Sequence, residues 1–409
     1  MTGLTITICG CGNGAHACAA LMSLKGHRVN VFSPLEDEIS SFQNAYSENG
    51  GLTMRFGAGL LSGLDALDEE ALAQIETYEG LRLEKISSNP QEVIPQASLI
   101  FVIVPAFAHK NILKSIAPHL SRDSLLVFLP SRGGLELELK SIVPEARVMA
   151  FQTLPWATRI HKFGKEILIS ARKNSILAAA RPMDLSELFF AQLEHLLDME
   201  IVPVKHMATL TFSNIGQIVH PGIMYSIFKK NPTEIFAADK LPFFYQAIDE
   251  EGGNRLSCMS EELIKIAGVA GQINSDIETN RVLHIRDWLK TSYEGLIADE
   301  SSVCRMIVTN KAYDGLRAPV RKLEDGLYTP DFGTRYITED VPYGLLISKS
   351  IAIMGGADTP TIDEVLSGID RWTGLDYLGR LNVLKSIKAS SRLPELYGID
   401  TLEDLLNGG

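Results

Sequence analysis

A chain of 409 residues, 45% hydrophobic and 22% charged, carries enough apolar side chain to bury two cores of ordinary size. Its formal charge of −12 argues against nucleic acid or an anionic membrane as a partner. No uncharged apolar run reaches membrane-spanning length, and no basic leader with an apolar stretch precedes the first strand, so a cytoplasmic protein is expected. The five cysteines, Cys9, Cys11, Cys18, Cys258 and Cys304, form no Cys-x-x-Cys pair and have no histidines at zinc spacing. Reduced thiols and no metal site are therefore expected.

The run Leu4-Thr5-Ile6-Thr7-Ile8-Cys9 reads as a buried strand. Gly10-Cys11-Gly12-Asn13-Gly14-Ala15 follows, then a helical pattern to Leu24, with Gly26 where a C-cap glycine belongs. Strand, Gly-x-Gly-x-x-Ala, helix is the dinucleotide-binding fingerprint. Gly10 permits the turn, Gly12 lets backbone approach a pyrophosphate, and Ala15 lets the helix sit on the strand. The helix start, Asn13 and Gly14 included, offers free N–H groups and a positive dipole end. An ordinary tight turn would use the same letters.

Arg28–Phe32 reads as the second strand, ending at Ser33-Pro34. Its tip, where an acid would meet the ribose of NAD, carries Ser33, with Glu36 and Asp37 beyond and no arginine for a 2′-phosphate. The pattern favours NAD and leaves NADP open. Residues 50–98 are weakly patterned, with strands and excursions expected at the sheet edge. Apolar strands return at Ser98–Val104, Leu125–Leu129 and Val148–Phe151. The loops after them contain Pro105 and His109, Arg132, and Gln152 and Trp156. Strands alternating with helices imply an α/β, doubly wound parallel sheet, whose ligands lie beyond the strand C-termini.

Glu200–Val204 reads as the last strand of this domain; from 206 helical periods dominate. The expected division is a Rossmann-like domain over 1–205 and an all-helical domain over 206–409, with the active site in the cleft between them. Helices are expected over Thr209–Phe228, Pro242–Ile266, Asp276–Leu289, Tyr343–Met354 and Ile362–Ile369.

Three residues of the second domain could carry chemistry. His220 precedes Pro221 inside an apolar helical pattern, where a proline kink could turn an acid–base group out of the packed face. Asp340 stands ahead of an apolar helix, either as a plain N-cap or as the carboxylate that orients a histidine. Arg335 could grip a substrate carboxylate or form a surface ion pair. The acidic runs Asp68-Glu69-Glu70 and Asp249-Glu250-Glu251 read as solvated faces.

Several segments, taken in order, resemble the opine dehydrogenases, most of all the octopine dehydrogenase type. They include Gly-Asn-Gly-Ala-His (12–16), Val-Pro-Ala-Phe-Ala-His (104–109), Thr-Leu-Pro-Trp-Ala (153–157) and His-Pro (220–221). Phe-Tyr-Gln-Ala-Ile-Asp (244–249), Thr-Asn-Lys-Ala-Tyr (309–313) and the long Asp-Phe-Gly-Thr-Arg-Tyr-Ile-Thr-Glu-Asp-Val-Pro (331–342) continue the series. The resemblance implies a Rossmann domain, a helical domain, and NAD(P)H-dependent condensation of an amino acid with an α-keto acid such as pyruvate. It implies His220 as catalytic histidine, Asp340 as its partner, and Arg335 as the carboxylate-binding arginine.

Family members that take arginine look to have glutamine where this chain has Arg132, and glutamate in place of Gln152. That departure implies a small or acidic-ended amine such as taurine, β-alanine, alanine or glycine. Use of arginine, a keto-acid or ketopantoate-type reductase, and a cofactor-binding sensor without turnover are the alternatives. The expected partners are small molecules, in a monomer or homodimer.

Overall fold

The computed structural model describes residues 3–57, 67–182, 187–378 and 391–407. The chain divides into two compact units, Met1–Leu210 and Thr211–Gly409. The division falls inside a helix that begins just beyond the expected boundary at 205.

The first unit is built on an eight-stranded sheet. Its strands are β1 (Thr5–Cys9), β2 (Arg28–Phe32), β5 (Lys85–Ser87), β6 (Leu99–Val102), β7 (Leu125–Phe128), β8 (Arg147–Phe151), β11 (Ser175–Arg181) and β12 (Glu200–Val204), in the order β12-β11-β8-β7-β6-β1-β2-β5. From β5 to β8 every pairing is parallel; β11 runs antiparallel to β8 and carries β12 parallel to itself. Alternation sends Leu99 and Phe101 into one core and Ile100 and Val102 into the other. Covering both faces explains why these strands are apolar throughout. Chain order reverses at β1, which lies between β2 and β6, so the switch point of the sheet is at the ends of β1 and β6.

A second sheet, β4-β3-β10-β9, comprises β3 (Leu52–Phe56), β4 (Glu76–Leu81), β9 (Trp156–Lys162) and β10 (Glu166–Arg172). The weakly patterned 50–98 stretch thus leaves the main sheet and returns to its edge as β5. The β9–β10 hairpin and β11 were not anticipated; in β9 only Trp156 is buried, and Arg159 and Lys162 are exposed.

Among its described residues the second unit is mainly helical, with a short antiparallel ribbon, Val320–Lys322 with Tyr328–Pro330, and three isolated bridges. Its helix boundaries differ from the expected ones at informative places. Thr209–Phe228 is two helices, Met207–Ser213 and Gly216–Phe228. The interruption falls at Asn214, whose side chain accepts from the Gly216 N–H, and not at Pro221, which lies inside a continuous helix. Residues 242–249 precede the long helix Glu250–Ile273, and the Asp249 carboxylate caps it by accepting from the Gly252 N–H. Asp276–Leu289 resolves into a 3₁₀ turn, Thr279–Arg281, and the helix Ile285–Ser292. No helix among the described residues is long and apolar enough to cross a membrane.

Candidate active site

The glycine loop sits where β1 meets its first helix, Asn13–Leu24. Gly10 has φ +123°, and a Cβ there would stand 2.5 Å from the Ile103 carbonyl oxygen, so the loop after β1 lies directly on the loop after β6. At Gly14 a Cβ would meet the Leu154 side chain at 2.8 Å. Gly12 is different. It has φ −80° and ψ −175°, a conformation open to any residue, and a Cβ there meets nothing within 4 Å. No side chain caps this helix and no acid stands in its first turn, so the N–H groups of Asn13, Gly14 and Ala15 face the open space at Gly12. A free helix start beside a glycine that the fold does not require fits the pyrophosphate of a dinucleotide.

Other candidates of this unit are already engaged. The Asn13 Oδ1 accepts from the Ile160 N–H at 2.8 Å. Ser33 is buried and donates to Glu38 Oε2 at 2.6 Å, which identifies Glu38 as the acid nearest the tip of β2. Pro105 starts the helix Ala106–Ile116. His109 is fully buried in that helix, its Nε2 paired with the Val104 carbonyl and its ring against Phe128, so it braces the strand-end loop. Trp156 is likewise buried, 4% exposed, within the core.

Arg132, half-buried with φ +61°, and Gln152 belong to neighbouring loops after β7 and β8. Those loops are tied together, since the N–H and the hydroxyl of Ser131 both donate to the Phe151 carbonyl.

In the second unit the structure joins residues 120 positions apart. His220 Nδ1 lies 2.7 Å from Asp340 Oδ2. A carboxylate only accepts, so Nδ1 carries the hydrogen and Nε2 is left as the basic nitrogen, without a hydrogen bond to the described residues. The His220 side chain is 25% exposed and that of Asp340 only 3%, so the dyad is anchored at its acid end and open at its basic end. Gln217 fixes the start of the His220 helix: its amide donates to the carbonyls of Thr211 and Asn214 and accepts from the Ser348 hydroxyl.

Asp340 makes no side-chain cap, contrary to the plainer expectation for it. The backbone around it forms wide turns, with Asp340 N–H donating to the Arg335 carbonyl and Leu345 N–H to the Asp340 carbonyl. A π-helical segment, Val341–Leu345, begins there and includes Pro342, which has no N–H to give. These turns aim the carboxylate at His220.

The sequence did not single out Tyr336 or Phe244, the aromatic residues that touch His220. Tyr336 stacks on the His220 ring at 4.1 Å and 16°, and Phe244 packs against both. Tyr245 and Tyr313 stack face to face behind them. Burial raises the Tyr336 phenol, with the Asp340 charge adding to it, and holds Tyr245 far above the ordinary range. Both phenols therefore stay neutral beside the imidazole. Arg335 is exposed, while two of its nitrogens engage the buried carboxylate of Glu339. Four-residue spacing was the available signal for Tyr336–Asp340 and Arg335–Glu339 alike.

A doubly wound sheet with a free glycine loop, followed by a helical unit holding a His–Asp pair buried at its acid end, defines an NAD(P)-dependent dehydrogenase. Residues 203–371 match the family model described as NAD/NADP octopine/nopaline dehydrogenase, alpha-helical domain. The chain is 30% identical to an opine dehydrogenase of Haliotis discus hannai, covering 99% of this chain and 98% of that protein. A tauropine dehydrogenase of Arabella iricolor is 29% identical, over 98% and 100%. A solved octopine dehydrogenase with NADH and L-arginine superposes with a TM-score of 0.85 at 27% identity, covering 99% and 98%. The chain belongs to the opine dehydrogenase family.

Proposed function

We propose that the chain condenses an α-keto acid such as pyruvate with a small or acidic-ended amino acid, the loop Gly10–Ala15 holding NADH and His220–Asp340 moving the protons. The observation that carries this is the 2.7 Å His220–Asp340 pair with its basic nitrogen open, in a member of this family. Amine and keto carbonyl lose water to form an imine. His220 Nε2 accepts a proton from the attacking nitrogen and returns one to the departing hydroxyl oxygen. Asp340 holds the tautomer and stabilises the imidazolium formed in between, while Tyr336 supports the ring face. When bound, NADH supplies the hydride that reduces the imine carbon, giving a secondary amine. Arg335 keeps donors beyond its pair with Glu339, and these receive the keto-acid carboxylate.

Arg132 and Gln152 set the amine, through loops that share the Ser131–Phe151 hydrogen bonds. A cation and a neutral amide on these two loops disfavour a guanidinium and suit a sulfonate or carboxylate end. The related tauropine and octopine dehydrogenases bracket the two possibilities. The test follows NADH oxidation with pyruvate against taurine, β-alanine, alanine, glycine and arginine. Turnover with one of the first four is expected, and efficient octopine formation from arginine refutes the amine assignment.

A further inference from the structure

His16 ends the Gly-Asn-Gly-Ala-His segment, and the reaction as derived gives it no task. It is 1% exposed, packed between the rings of Phe42 and Phe163. Its Nε2 lies 3.0 Å from the Gly164 backbone nitrogen, in the turn of the β9–β10 hairpin. That N–H can only donate, so Nε2 accepts and the hydrogen is on Nδ1. Nδ1 lies 3.1 Å from the Gly12 carbonyl oxygen, which also accepts the His16 backbone N–H at 3.0 Å. One carbonyl of the glycine loop is thus held by two donors of one residue. Burial lowers the imidazole to about 4, so the ring is neutral at neutral pH and both nitrogen roles persist.

The Gly12 carbonyl and the Asn13 N–H belong to one planar trans peptide and point in opposite directions. Fixing the carbonyl toward His16 therefore fixes the Asn13 N–H toward the open space where the pyrophosphate is proposed to lie. The same hairpin holds Asn13 from the other side, through the Ile160 N–H.

We propose that His16 is a positioning residue for the cofactor, which locks the Gly12–Asn13 peptide so that its N–H meets the pyrophosphate, with the β9–β10 hairpin as its support. An anion on the Asn13 N–H polarises the peptide and strengthens the bond from Nδ1, so the two ends report on each other. The inference rests on the proposed cofactor role of the glycine loop.

The test compares wild type with His16→Phe, which fills the ring site without hydrogen bonds, and His16→Gln, which keeps an N–H for the Gly12 carbonyl. The Phe variant should raise the KM for NADH and the Kd for ADP-ribose by at least about tenfold, with kcat at saturating NADH and the KM for pyruvate unchanged. The Gln variant should recover most of that loss. A folded Phe variant with wild-type affinity overturns the inference, as do Phe and Gln variants equally weakened. If the Phe variant does not fold, wild-type protein labelled in histidine decides: ADP-ribose should shift the His16 Nδ1 resonance, and an unmoved resonance overturns the proposal. Wild-type protein that binds neither NADH nor ADP-ribose would instead overturn the cofactor reading itself.

Discussion

Replacing Gly12 with valine separates what the fold needs from what a ligand needs. The backbone at Gly12 is already in a conformation that valine adopts, and a Cβ meets nothing within 4 Å. A nonpolar N-cap costs about 0.5–1 kcal/mol relative to glycine. The stiffer unfolded chain returns about 0.4–1 kcal/mol. Stability should therefore change by less than about 1 kcal/mol, a Tm shift of at most about 4 °C. The ligand meets a different situation, because the isopropyl group occupies the space that the first-turn N–H groups face. Losing two hydrogen bonds to a charged pyrophosphate, each about 1.5–3 kcal/mol, removes about 3–6 kcal/mol of binding. That is about a 10²- to 10⁴-fold rise in Kd. NADH fluorescence titration, run beside thermal unfolding, measures both quantities. A folded valine variant that binds NADH within about threefold of wild type refutes the reasoning. Gly10→Ala is the contrasting control: φ +123° and a Cβ 2.5 Å from the Ile103 oxygen should cost about 1–3 kcal/mol of stability.

Asp340→Asn should lower kcat by about 10²- to 10⁴-fold while NADH affinity is retained, since the amide no longer stabilises an imidazolium; normal kinetics would leave Asp340 a structural residue. His16 has its folded-state value lowered from 6.5 to about 4, so the unfolded chain binds the extra proton between those values. About 3 kcal/mol of stability, present above pH 6.5, should be lost as pH falls to about 4, measured by urea denaturation against His16→Phe. A slope shared by the Phe variant would assign the loss to other groups. Arg132→Gln should shift the kcat/KM ratio toward arginine by about tenfold, about 1.4 kcal/mol, and an unmoved amine preference would show that Arg132 does not face the amine.

Parts of this fold are legible because burial on both faces forces uninterrupted apolar strands, as in Leu99–Val102 and Leu125–Phe128. The strand Trp156–Lys162 lacks that signal, since only Trp156 in it is buried and Arg159, His161 and Lys162 are partly or fully exposed. Pro221 does not end its helix. One missing N–H is tolerated in a helix whose start is secured by Gln217, and the chain breaks instead at Asn214. Asp340 was legible as a candidate from its place ahead of an apolar helix, but its assignment to His220 came only through the family resemblance, because nothing in local spacing relates it to a histidine 120 residues away. Its expected capping role gave way to a π-helical turn, a geometry with no residue signature beyond Pro342.

The glycine loop marks where letters stop and geometry begins. Gly10, Gly12 and Gly14 read alike, yet a side chain would strike backbone at the first, the Leu154 side chain at the third, and nothing at the second. Only the second is a glycine without a reason inside its own unit, so its reason is sought in a ligand. His16 completes the same motif from the other direction. Its two ring nitrogens, one toward Gly12 and one toward Gly164, tie the loop to a hairpin about 150 residues away in sequence. A variant at Gly12 should therefore move affinity without stability, and one at Gly10 stability foremost. His16 should move both, because it braces the core and aims the peptide; if its effects fell on stability alone, the loop would be shaped by its backbone and the hairpin would be only a neighbour.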